Sequence, residues 1–180
     1  MLLAVGVTFA LGGFDQVVPA QQDTVPVAVG EEFNGGPWLV TIESAEIGYN
    51  LRGQGDFSED RTLVLQVNAR IEVIDQRTRS VFGLDPPLEL QDVQGVRPGL
   101  PTTLSLRDNS SVTDMQPGLP VRLAFLWQLE PNTPVPNEVT VLVNALERRY
   151  ESWRFSGSVS EFQIYAAAVT VPVLDRTATT

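Results

Sequence analysis

The chain has 180 residues, of which 43% are hydrophobic, and a formal net charge of −10. It contains no cysteine and no histidine, and its 12 basic residues are all arginine. Disulfides, thiolate metal sites, histidine or cysteine catalysis, Schiff-base chemistry and a Walker lysine are therefore excluded. The acidic balance with no basic stripe argues against nucleic acid and against strong attraction to an anionic lipid surface. The apolar content is too high for a disordered chain, and roughly 140 to 155 residues remain for one domain once the ends are set aside.

Residues 1–18 are read as an apolar leader or partial transmembrane anchor. Leu2 to Phe14 carries no charge, and its 13 residues suit a signal-peptide core better than a spanning helix of about 20. Val18-Pro19-Ala20 offers a cleavage-like site. The flanking basic residue that a leader or anchor should have is missing, which leaves open an anchor, a cleaved signal or a buried first strand. Residues 19–24 read as a polar linker, 25–175 as the folded domain and 176–180 as a flexible tail.

The domain reads as all-β. Short β-branched and aromatic runs are separated by Gly, Pro, Asn and Asp clusters, as in a sandwich or barrel. Thr24 to Val29 is a predicted first strand, at an edge because of Pro26. Asn34-Gly35-Gly36 is a turn before a strand over Pro37 to Ile47. Thr62 to Ile74 is the clearest strand. Leu63, Leu65, Val67, Ala69, Ile71 and Val73 share a core face there, and Gln66, Asn68, Arg70 and Glu72 share a water face.

Leu88 to Val93 and Thr103 to Arg107 are shorter strands. Gln116 to Pro120 is a turn that opens a strand over Val121 to Leu129. Pro131 to Asn137 is a proline-rich loop, and Glu138 to Arg148 and Ala166 to Leu174 are further strands. Tyr150 to Tyr165 fits either a short helix or another strand. The pattern predicts an antiparallel β-sandwich of about 7–9 strands, with Trp38 and Trp127 in its core.

Certain of these pieces resemble a known group. They are Trp38-Leu39-Val40-Thr41-Ile42, Arg61 to Asn68, Leu88 to Val93 and Gln116 to Trp127. In this order they resemble the immunoglobulin-like extracellular domains of Gram-positive, actinobacterial cell-surface and secreted proteins, which are related in fold to secreted immunoprotective antigens. The resemblance covers about Val25 to Arg149. It implies an immunoglobulin-like sandwich in an extracytoplasmic place, and it implies no catalytic residue.

Two kinds of candidate site stand out. Gly53 to Asp60 gathers three carboxylates, Asp56, Glu59 and Asp60, in eight residues. Calcium takes oxygen ligands of this kind, although the spacing is not that of an EF-hand and a solvated acidic loop explains it as well. Arg107 to Asp114 is a weaker candidate of the same type, and Asn109-Ser110-Ser111 fits a glycosylation sequon. No other cofactor is implied.

Arg148, Arg149, Tyr150, Trp153, Arg154 and Phe155 form the only basic and aromatic concentration. Arginine and aromatic residues are favoured at interface hot spots, and these would dock a partner protein or rest at a membrane surface. The alternative is that the aromatics cap the core. The expectation is a non-catalytic extracytoplasmic module, membrane-anchored or secreted, that binds a protein or envelope component. Alternatives are an accessory subunit of a membrane complex such as a transporter, and a glycan-binding or glycan-active domain.

Overall fold

A computed structural model describes residues 24–49, 51, 62–81, 87–150 and 159–178, with only the backbone of 147–150, 159–163 and 165. Eleven strands follow in order: β1 (Val25–Pro26), β2 (Glu32–Asn34), β3 (Trp38–Tyr49), β4 (Leu63–Val73), β5 (Arg79–Ser80), β6 (Leu88–Gln91), β7 (Thr102–Ser105), β8 (Asp114–Met115), β9 (Val121–Gln128), β10 (Glu138–Tyr150) and β11 (Val159–Asp175). No α-helix occurs among the described residues. Four long strands match the expectation to within a few residues. The short β2, β5 and β8 carry too few residues to show a period.

One layer is ordered β6-β10-β11, with β1 beside β11. The other is β3-β4-β9-β7, with β2 beside β3. Neighbours are antiparallel, β10 and β11 included, except where β11 meets β1 and β3. Its Ala167 and Ala168 pair in parallel with β1, and Val173 to Asp175 then pair in parallel with Ala45 to Ile47 of β3. The strand thus starts in one layer and ends in the other, which curls the sheet into a sandwich. Pro172 lies between the two pairings, where its missing N–H breaks no ladder bond. Arg176, the first residue of the expected tail, continues this join. Arg176 N donates to Ile47 O at 2.8 Å and its Nε to Glu46 Oε2.

Two bulges reset the alternation. In β3 the register shifts between Ile42 and Ser44, so Trp38, Val40 and Ile42 face inward and then Ala45 and Ile47 do. An extra residue reverses the parity of every side chain after it. Gly30, with φ +83°, donates its N–H to Ile42 O at 2.8 Å and seals the bulge from the β1–β2 turn. The second bulge lies between Val143 and Asn144, with Ala166 as the extra residue of β11.

The core is continuous from Trp38 on β3 through Leu65, Ile71, Leu123, Phe125 and Trp127 to Val141 and Val169 on the facing layer. Phe125 and Trp127 stack with ring centroids 6.2 Å apart. Trp38 Nε1 donates to Asn144 O at 2.9 Å, tying the layers together inside the core. Trp38 and Trp127 are buried, as expected. Met115 of β8 and Val81 after β5 close one end.

On the water face expected on β4, Arg70 is exposed and Asn68 and Glu72 are half-buried, but Gln66 is not in water. Val64 and Gln66 are both fully buried, and Val64 belongs to a second small cluster with Leu104, Ala124 and Leu126. Gln66 avoids an unsatisfied amide by donating to Glu46 Oε1 at 2.8 Å and Asn68 Oδ1 at 2.7 Å. Burial of a hydrogen-bonded amide is tolerable where burial of a bare one is not, and the residue type alone does not distinguish the two.

Candidate interaction surface

Asp56, Glu59, Asp60, Trp153, Arg154 and Phe155 lie outside the described residues, as do Leu2 to Phe14. Among the described residues no helix is long and apolar enough to cross a membrane, and no group of three or more acidic side chains could hold a metal ion. At the second acidic loop, Asp108 Oδ1 accepts from Ser110 N at 3.1 Å and Ser110 Oγ at 2.7 Å. These bonds from Ser110, with a weaker one from Ser105, hold the Asp108 carboxyl below the usual aspartate range. With Asn109 at φ +57°, the carboxylate closes its own turn.

Arg148, Arg149 and Tyr150 are brought to one place by the backbone. They end β10, where the register sets them opposite Glu161, Ser160 and Val159 of β11. The stretch Tyr150 to Tyr165 is resolved in part by this pairing, since β11 begins at Val159. On its outer side, β10 pairs with β6 as far as Val143. Asn144 N then donates to Pro87 O at 3.0 Å and Leu146 N to Gly35 O at 3.2 Å. Beyond Leu146, the four pairs from Glu147–Phe162 to Tyr150–Val159 have no other strand beside them among the described residues. They form a two-stranded arm.

A second feature had no signal in the sequence beyond the prolines of the β9–β10 loop. A groove of about 400 Å³ opens between Gln91 to Gln94, just past β6, and the segment from Pro134 to Thr140. Its origin is local. Asp92 adopts φ +52°, a left-handed conformation that aspartate tolerates better than most residues. The turn carries the chain away from β10 one residue after the Gln91–Thr140 pair. Asp92 and Glu138 line the groove together with Gln91 and Gln94, and no lining residue is basic.

Elsewhere on the described surface several charges pair, among them Arg97 with Glu130 and Arg176 with Glu46. Arg122 holds Glu43 through Nε and Nη2 at 3.0 and 2.7 Å, and this bond raises the arginine above its ordinary range.

This geometry is that of a two-layer β structure, and a solved structure shares it. The crystal structure of an uncharacterized beta-sandwich protein from Clostridium difficile 630 matches with a TM-score of 0.51 over 87% of this chain and 99% of that chain. The chain is a β-sandwich. The identity of 11% carries the likeness no further than the fold. No protein-family model and no curated protein matches the chain.

Proposed function

We propose that the chain is a non-catalytic, immunoglobulin-like binding module on the outer side of a membrane, attached or exported through its apolar N-terminus. The observation that supports this reading is the β10–β11 arm, which presents Arg148, Arg149 and Tyr150 at its far end. An edge with no strand beside it among the described residues, next to arginine and aromatic residues, suits docking of a protein or envelope partner. The glycan reading fares worse. It needs exposed aromatic platforms, and Trp38 and Trp127 are 2% and 6% exposed.

The test has two parts. Cells are fractionated and treated with external protease, and the intact mass of the recovered chain is measured. A membrane-retained or exported chain that external protease cleaves supports the location, whereas a protected cytosolic chain overturns it. The chain with Tyr150→Ala, Trp153→Ala and Arg154→Ala is then compared with the parent in crosslinking and copurification. Loss of the captured partner with an unchanged thermal melt supports an interface at the arm. Unchanged capture removes it.

A further inference from the structure

The groove beside β6 can be assigned a ligand chemistry from its backbone as well as its side chains. Asn144 N donates to Pro87 O on the β6 side of β10, and Asn137 O accepts from Val173 N on the β11 side. Strand alternation between these two anchors directs the amides and carbonyls of Glu138, Thr140 and Leu142 toward β6. Leu142 and Thr140 find partners there in Glu89 and Gln91. Glu138 does not, because Asp92 has already turned the chain away, and no described hydrogen bond reaches the Glu138 amide or carbonyl. The groove therefore begins where a sheet ladder stops short, with one backbone donor and one backbone acceptor facing the gap.

Val93, Val135 and Val139 give the gap apolar contact, and Asp92 and Glu138 give it negative charge. We infer that this groove receives an extended segment of a partner protein bearing a lysine or arginine. The segment continues the interrupted ladder against Glu138 and places its cation near the two carboxylates. Strand addition supplies main-chain bonds that any sequence can make, and the side-chain environment sets the specificity. Two copies of this chain, each with a net charge of −10, repel one another as whole molecules, which disfavours a second copy as the occupant. An acidic or phosphorylated segment is disfavoured for the same reason. The inference rests on the reading of the chain as a binding module, but it uses a different surface from the arm.

The experiment follows backbone amide signals of the full chain while a blocked peptide of alternating valine and lysine is added. Two controls accompany it: the same peptide with glutamate for lysine, and the lysine peptide with alternate amides N-methylated. The lysine peptide is expected to shift the Glu138 and Thr140 amides saturably. The D92N/E138Q chain is expected to bind it about three- to tenfold more weakly, as loss of two partly exposed charge contacts implies. Both substituted side chains are exposed, and a thermal melt checks that the variant folds.

Neither control peptide should bind. An N-methylated peptide that binds equally reduces the effect to counter-ion attraction and overturns the inference. So does equal binding by D92N/E138Q, or the absence of any shift near Glu138. A chain that captures its partner through the arm yet ignores the lysine peptide overturns this inference alone. Binding of the peptide by the chain carrying the three alanines at the arm supports the groove independently.

Discussion

The layer of β3, β4 and β9 brings Trp38, Ile42, Ile47, Leu65, Leu123, Phe125 and Trp127 to the core, while β10 and β11 bring Val139, Val141, Val143, Ala167, Val169 and Val171. The aromatic and most of the other large buried side chains are on the first inner face, although Val40, Ala45, Val67 and Ala69 lie among them and Leu88 of β6 is a large one on the second, and side chains of unequal size let two faces interdigitate. The layer of small residues also carries the edge strand β6, the groove and the arm. Most of the core bulk and the two surfaces proposed for docking are thus on different layers. Changes to the second can alter binding while leaving the first intact.

The division is most directly broken by cutting the large layer. Phe125→Ala should lower stability by about 3–5 kcal/mol, as aromatic truncations in cores do. Val141→Ala on the facing layer should cost roughly 2 kcal/mol, for two lost methyl groups and a small cavity. Urea denaturation of both variants measures the contrast. Equal losses would mean that the small layer collapses as badly as the large one and that the asymmetry has no energetic meaning.

A smaller effect tests the tie between the layers. A Cβ on Gly35 would lie 2.6 Å from Trp38 Nε1 and 3.0 Å from Asn144 O, the two ends of the interlayer hydrogen bond. Gly35→Ala should therefore cost about 1–3 kcal/mol through overpacking and a strained buried bond. The Trp38 fluorescence should move as its indole N–H loses its partner. An alanine accepted without loss would show that the turn has room to shift and that the bond does not fix the layer spacing.

The legible parts of the fold are those with a sustained period. β4 and β9 place an apolar residue at every second position over their whole length, so that core face could be read directly, whereas the burial of Val64, Ala124 and Leu126 on the opposite face could not. β3 could be read only as far as Ile42, because the bulge at Glu43 reverses its parity. Gln66 appeared solvent-facing because its hydrogen bonds to Glu46 and Asn68 depend on strand register, which a single strand does not contain. The groove was illegible for a related reason. It arises from one left-handed residue, Asp92, acting on a strand almost 50 positions away. The grouping of Arg148, Arg149 and Tyr150 was visible as composition, but their place at the end of a paired arm required the β11 partner.

The smallest expected effect lies at the end of β11, where the two layers join. Asp175 Oδ1 accepts from Thr177 Oγ1 at 2.7 Å and from Thr177 N at 2.8 Å. These bonds hold the carboxyl below its ordinary range, because they favour the charged form. A carboxylate with a depressed folded-state pKa contributes stability above its unfolded-state pKa and loses it as pH falls through the folded value. Asp175→Asn should therefore be less stable than the parent at neutral pH. The gap should close as the solution is acidified, since a protonated aspartate and an asparagine differ little in charge. Urea midpoints of the two chains, compared from about pH 7 to about pH 3, measure it. The group is exposed, so the gap should be small and its sign is the informative quantity. A gap that widened on acidification would place the ionised carboxylate among the groups opposing the fold, and the Thr177 turn would then not stabilise the end of β11.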